Sequence, residues 1–420
     1  MICRRFSSFR FRFSVFEPFL SDSSSSIEAV TCLNPYIQSF FSPQHVTTFS
    51  LQGLKHTVLL KNFVFLEFDF IVMTEPVTDI LENDILKRWP EVLRALLKDR
   101  TTNRNIFWAT DMYEKDYGKS YSFKHQITVE QITGDNGTVI RPRAVKSIEE
   151  QRYRIRDKAE VFTPSWICNA QNNLVDDAWL GRDNVFNTLD ITTHEWVPTE
   201  GKIAFPENRT WQEYVCRNDL EITCGEAPYL ASRYDTTTGV PFTELKMRIG
   251  LLDRKLRVVG ENVKTMKDWY FWAFNAIKSI YGYEWQGDSL LLAREAILYT
   301  FIDYYKEFAK NHRIKTVEPF RCYLLHAAKI ISWNLFQMDG LKMVLPMTCY
   351  EVRIKGEPQT NLFSKVNHKD KVIPCPGCKK NNVHLHNGIK VKIADWDKTS
   401  WSLKEKPIEI VEFHTLVKKP

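Results

Sequence analysis

Three segments predict an α/β fold built on a Rossmann-like parallel sheet. Leu220 to Leu230 reads Leu-Glu-Ile-Thr-Cys-Gly-Glu-Ala-Pro-Tyr-Leu, the pattern of a strand, a tight glycine turn and a helix start at Pro228. Ile280 to Trp285 is a short strand closing on Glu284, and it feeds an apolar helix with Leu290, Leu291, Ala293, Ile297 and Leu298. Lys329 to Leu341 then reads as a helix end or strand closing on Asp339. The sheet is expected to be incomplete, with an amino-terminal α+β accessory region and a small zinc knuckle added to it.

At 420 residues and 44% hydrophobic the chain can bury a large core and suggests two or three domains. A net charge of +6 permits a nucleic-acid partner without requiring one, because a duplex binder needs its cations clustered. The nine cysteines, irregularly spaced apart from one Cys-x-x-Cys, imply a reducing compartment, with the cytoplasm as the default. Val64 to Val72 is apolar, but Glu67 and Asp69 interrupt it and it is too short to span a bilayer, so no membrane segment is expected.

Residues 1–72 hold nearly half of the 27 phenylalanines and a run of four serines, Ser23 to Ser26. An Arg- and Ser-rich start without acids fits an organelle transit peptide. The preferred reading is a disordered or translated upstream extension, with Met73 as the working start. Residues 73–158 form the accessory region. Ile80, Leu81, Ile85, Leu86, Trp89, Val92, Leu93, Leu96 and Leu97 recur at helical spacing, broken at Pro90. Gln126 to Ile132 and Thr138 to Val145 flank Gly134-Asp-Asn-Gly137 and predict a hairpin. Arg152, Arg154, Arg156 and Lys158 form a basic row that can face phosphates, although a solvated helix face is preferred because Glu149, Glu150 and Asp157 dilute it.

The core is placed at residues 159–345. Phe162-Thr163-Pro164 starts a helix over Ser165 to Leu174, where Pro164 fixes the first turn and Thr163 can cap it and touch a ligand. Asp176 to Thr210 reads as a connecting segment. Trp269, Trp272, Ala273, Ala276 and Ile277 mark an aromatic helix at core spacing rather than a base-stacking platform. In the turn after the first strand, Gly225 lets backbone approach a ligand, and Glu221 and Thr223 flank it. Glu284 is placed to accept ribose hydroxyls.

The stretch Glu221 to Leu230 resembles the adenosylmethionine motif of adenine-specific DNA methyltransferases, Asp-Pro-x-x-Gly-x-Gly. Glu221 stands at the Asp, Gly225 at the first glycine, and Tyr229-Leu230 at the aromatic-Leu pair. Ala159 to Ser165 resembles the Phe-Thr-Pro segment that precedes the cofactor strand in the methylation subunits and fused methylases of restriction systems. The chain departs from that pattern at Ala227, which replaces the second glycine, and in a longer gap between the first two strands. The resemblance implies a methyltransferase fold and S-adenosyl-L-methionine held by Phe162, Thr163, Pro164, Glu221, Thr223, Gly225 and Glu284. It also implies that Asp339 recognises the cofactor's adenine ring. A turn Asp before Gly340 is the alternative for that residue.

Residues 346–420 carry Cys375-Pro-Gly-Cys378 followed by His384 and His386, four groups able to hold a structural zinc; free thiols in a turn are the alternative. Glu261-Asn-Val263 with Pro374-Cys375 mimics cytosine methylases in the wrong order, and Asn34-Pro-Tyr36 falls one proline short of the amino-methylase tetrad. The Asn-Pro-Pro-Tyr/Phe tetrad that seats a flipped adenine is not found after Asp339. The expected function is therefore the cofactor-binding part of a restriction-modification methyltransferase acting on double-stranded DNA. It would need a second segment or a catalytic or restriction partner chain, and the catalytic residues are unknown. A DNA-binding or assembly subunit that kept the fold without the chemistry is the alternative.

Overall fold

A computed structural model of the chain describes residues 82–158, 160, 163–314, 321–354, 371–400 and 402–417. Residues 1–72, Met73 and Phe162 lie outside the described residues, and so do the expectations attached to them. The described residues belong to one unit.

Two short helices come first, α1 (Glu82–Arg88) and α2 (Pro90–Leu96), separated at Trp89-Pro90 as the proline predicts. The hairpin expected around Gly134-Asp-Asn-Gly137 is not formed. Thr128 and Gln131 make a capping box that starts a single helical turn, Val129–Ile132. The Asn83 side chain then takes both the N–H (2.7 Å) and the carbonyl (3.1 Å) of Gly134, so the glycine turn packs on α1 instead of joining two strands. Helix α3 (Ile148–Lys158) carries the basic row, but Arg154 is wholly buried rather than solvated.

Helix α4 (Ser165–Leu180) starts after Pro164 as expected and runs beyond Leu174 to Gly181, whose φ of 72° closes it. Its onset is capped by Asp235, whose Oδ2 accepts the Ser165 N–H at 2.8 Å, rather than by Thr163. The connecting segment Asp176 to Thr210 contains the end of α4 and the hairpin of β1 (Asn187–Leu189) with β2 (Trp196–Pro198). Helix α5 (Trp211–Cys216) opens on a Thr210–Glu213 capping box.

The centre is a three-stranded parallel sheet of β3 (Asp219–Glu221), β4 (Ile280–Glu284) and β5 (Leu335–Gln337), in that spatial order. Between β3 and β4 run α6 (Leu251–Asn262) and α7 (Met266–Lys278); between β4 and β5 run α8 (Gly287–Asn311) and α9 (Arg321–Asn334). Both connections step the same way across the sheet, so right-handed crossovers put their helices on one face. There α8 packs against both α6 and α9, and Trp269 of α7 is fully buried against Tyr305, Phe301 and Phe308. The helix expected at Pro228 is reduced to one turn, Leu230 N–H to Ala227 carbonyl at 3.1 Å. Ser232 and Asp253 then tie the chain to the start of α6: Ser232 Oγ accepts from Ile249 and Gly250, and Asp253 accepts from Ser232.

Past β5 the chain makes two further antiparallel pairs, β6 (Val352–Ile354) with β7 (Lys371–Ile373) and β8 (Lys392–Asp395) with β9 (Glu409–Glu412). The one-turn helix α10 (Pro376–Lys380) lies between them. The β8–β9 pair covers the second sheet face: the Tyr281 hydroxyl donates to the Ala394 carbonyl at 3.1 Å, and Phe413 meets the Tyr283 and Phe336 rings. The fold is thus mixed α/β around one small parallel sheet. No helix among the described residues is long and apolar enough to cross a membrane.

Candidate functional site

In parallel sheets ligands sit beyond the carboxyl ends of the strands, and β3 and β4 each end there on a buried glutamate. The turn after β3 lies across both. Cys224 continues the ladder by donating to the Tyr283 carbonyl at 2.8 Å, and Gly282 leaves room for it, since a Cβ there would lie 3.2 Å from the Cys224 sulfur. Thr223, Gly225 and Ala227 have φ of 47°, 52° and 62°. Two of these three are not glycine, and left-handed backbone in residues with a Cβ is strained and concentrates at ligand sites. Ala227, standing where the second motif glycine would, adopts the conformation that glycine tolerates best.

Glu284 clamps this turn. Its Oε2 accepts the Gly225 N–H (2.9 Å), while Oε1 accepts Trp285 N–H (2.8 Å) and Gln286 N–H (3.1 Å). Three of about four acceptor positions on the carboxylate are filled, leaving one on the Gly225 side. Glu221 accepts from Tyr229 N–H at 3.4 Å, and its other oxygen has no hydrogen-bond partner among the described residues. Burial raises both carboxyls and backbone N–H groups oppose it at each, those of Tyr229 and Leu230 at Glu221 and those of Gly225, Gln286 and Trp285 at Glu284; at Glu221 the nearby Glu284 adds a smaller upward push.

Thr163 lies beside this turn through Tyr229, whose phenol is near both Thr163 and Cys168 and donates to Gln171 at 2.5 Å. The Thr163 carbonyl accepts from Thr236 at 3.2 Å, and Pro164 shapes the start of α4. Glu221, Gly225 and Glu284 are therefore brought together, and Thr163 is linked to them only through Tyr229. Thr223 is not drawn in: it is exposed and donates to the carbonyl of Ile222 at 2.7 Å. Asp339 follows β5 closely, but its Oδ1 caps its own turn, accepting Leu341 and Lys342 N–H groups at 3.1 Å each, with the Lys342 ammonium 3.2 Å from Oδ2. That is the turn arrangement of an Asx residue.

Behind the turn lies a charged cluster that sequence reasoning missed. Asp288, in the first turn of α8, pairs with Arg154 and accepts from the Tyr113 hydroxyl at 2.6 Å, with Lys146 at 3.8 Å. Burial would raise this carboxyl, but Arg154 and Lys146 hold it well below the usual range. Glu160 takes the other Arg154 nitrogen at 2.8 Å, and Glu226, inside the Gly225 turn, takes Arg143 N–H at 2.7 Å and the Tyr234 hydroxyl at 2.5 Å. The Lys146 ammonium is buried without a hydrogen-bond partner among the described residues. The only sequence signal for this cluster was basic residues in a row otherwise suited to solvent.

The second candidate centre is a metal-type cluster. Sγ of Cys349, Cys375 and Cys378 lie 3.5, 3.5 and 3.6 Å from Nδ1 of His386. A tetrahedral zinc with Zn–S near 2.3 Å and Zn–N near 2.05 Å would set sulfur and nitrogen about 3.6 Å apart. The four groups can hold one metal ion. Cys375, Cys378 and His386 are as predicted; His384 is not a member, and Cys349 takes its place. The 3₁₀ turn Val383–Leu385 directs His384 away from the cluster, with its ring 5.6 Å from that of His414. Gly377 permits the approach, since a Cβ there would lie 2.4 Å from the His386 nitrogen. Burial raises the Cys375 thiol, yet N–H groups of Asn387, Cys378 and Gly377 and the His386 side chain bring it down to about 6, favouring the ligating thiolate. The signal available in the sequence was the usual wide separation of zinc ligand pairs, which points to a distant residue rather than the adjacent His384.

No protein-family model matches the chain, and neither a curated protein nor a solved structure matches it.

Proposed function

We propose that the chain is the cofactor-binding part of an S-adenosyl-L-methionine-dependent, adenine-specific DNA methyltransferase of the restriction-modification type, on a Rossmann-like sheet. The observation that carries this reading is the placing of Glu221 and Glu284 at the carboxyl ends of adjacent parallel strands, with the strained Gly225 turn between them. Charge supports it. Glu160, Glu221, Glu226, Glu284 and Asp288 gather around that end against Lys146 and Arg154, and a sulfonium-ammonium ligand supplies the cations such a site lacks. Glu284 would accept a ribose hydroxyl on its remaining acceptor position. In the same reading Cys349, Cys375, Cys378 and His386 hold a structural zinc, with no open position for chemistry.

Methyl transfer to duplex DNA would require a further segment or partner chain to seat the flipped base. Strand β3 is an edge of the three-stranded sheet among the described residues, a place where a further strand can pair. The second reading, a DNA-binding or assembly subunit without the chemistry, is favoured by the occupancy of Glu284 by three backbone N–H groups. Titration calorimetry with adenosylmethionine decides between them. Binding is expected, and Glu284→Ala should weaken it by about 1.5–3 kcal/mol, with Glu284→Gln in between. No binding by the unaltered chain, or equal affinity in all three proteins, would overturn the methyltransferase reading.

A further inference from the structure

A cleft of about 460 Å³ opens between α9 and the segment Leu403–Ile410. It lies at the other end of the sheet from Glu221 and Glu284. Trp396, which lines it, donates its indole N–H to Asn334 at 2.8 Å, and the Asn334 amide holds the carbonyls of Ile277 and Ile280 beside the start of β4. Four cations line the cleft, Arg100, Lys329, Lys404 and Lys406. Arg100 is fixed by its Nε, which donates to Ser332 Oγ at 2.8 Å, and neither of its terminal nitrogens makes a hydrogen bond within the described residues. Lys329, Lys404 and Lys406 are exposed and have no acidic partner there. The one carboxylate of the cleft, Glu405, is already taken by His326 and Lys278 at 2.8 Å each. Trp333 completes the wall with a half-buried indole that stacks on no other ring of the described residues.

A pre-positioned guanidinium, three unpaired ammonium groups and an open indole face match a ligand that carries both phosphate and an aromatic base. We propose that this cleft binds a nucleotide, with phosphate on Arg100 and the lysines and the base stacked on Trp333. The proposal stands independently of the adenosylmethionine reading, since the two sites share no residue. The ligand can be a free nucleotide or one unit of a single strand.

The full chain would be titrated with thymidine monophosphate, which lacks the adenine a donor pocket would take, and with a fluorescent oligothymidylate of eight residues read by anisotropy. Binding of either probe is expected, the tighter one identifying the source. Trp333→Ala should weaken it at least about fivefold and Trp333→Phe much less. Lys329→Ala with Lys406→Ala should weaken the oligonucleotide and lower its log–log salt slope by about 1.4. These side chains are exposed or half-buried, so the variants should fold, which circular dichroism would check. The proposal is overturned if the unaltered chain binds neither probe, if the variants bind as tightly as it does, or if an oligoglutamate of equal charge competes as well as the oligonucleotide.

Discussion

Around Glu221 and Glu284 the supporting residues are buried: all five residues of β4, the start of α8, and the Tyr113–Arg154–Asp288 network. Around Cys349, Cys375, Cys378 and His386 many apolar neighbours face solvent instead: Leu341 is 87% exposed and Met347, Tyr350, Val352, Leu385 and Ile389 are exposed as well, while Val344 and Leu345 are buried. The first centre is a by-product of a large core, fixed by burial and by backbone hydrogen bonds. The second has little apolar surface to bury, and a small lobe of that kind depends on a cross-link. The difference teaches where each should fail: the sheet site through its buried charges and strained turn, the lobe through loss of the metal ion that its three cysteines and His386 can hold.

The largest effect is expected from the metal, because structural zinc contributes on the order of 10 kcal/mol in apparent terms to folding of small sites. Chelation, Cys349→Ser or Cys375→Ser should abolish amide-exchange protection at Leu345 and Ile389, which bond within the lobe, and leave β4 protected. His384→Ala should retain one equivalent of metal. If β4 lost protection together with the lobe, the two regions would not be separable, and a metal-binding defect in His384→Ala would restore that residue to the ligand set.

Next in size is Asp288. Replacing it with alanine leaves the Lys146 ammonium buried without a carboxylate partner and Arg154 with Glu160 alone, and breaking a buried pair from one side costs about 3–5 kcal/mol. Urea denaturation should show that loss in Asp288→Ala. The double variant Asp288→Leu with Arg154→Met should recover part of it, since no unpaired partner remains from that pair. A loss below about 1 kcal/mol, the scale of an exposed ion pair, would mean the network is wetter than its burial indicates and would weaken the contrast with the lobe.

How far these features were legible in the sequence follows the same division. The stripe through Ile85, Val92 and Leu96, the aromatics of α7, and the acid-ended strands β3 and β4 were readable because hydrophobic periodicity and strand ends are local signals. What was not readable depended on residues far apart in the chain. Asn83 captured Gly134 and removed the hairpin, Asp235 capped α4 in place of Thr163, and Asp288 drew Arg154 out of solvent. Cys349 joined the thiolates through chain reversal, whereas His384, close in sequence, was turned aside by a single 3₁₀ turn.

The smallest expected effect tests the turn itself. Thr223 is exposed, β-branched and held at φ 47°, and its hydroxyl reaches only the adjacent Ile222 carbonyl. A left-handed conformation costs a residue with a Cβ about 1–2 kcal/mol, while glycine's greater freedom in the unfolded chain returns about 0.5–1 kcal/mol of that gain. Thr223→Gly should therefore raise the urea midpoint by an amount equivalent to about 0.5–1 kcal/mol at unchanged slope. If the strain grips a ligand, the more stable variant should also bind adenosylmethionine more weakly, because the loop must then be ordered on binding. A lower midpoint would show that Thr223 is held by favourable contacts rather than strained. Greater stability with unchanged adenosylmethionine affinity would place the strain outside the proposed site, which would then rest on Glu284 and Gly225.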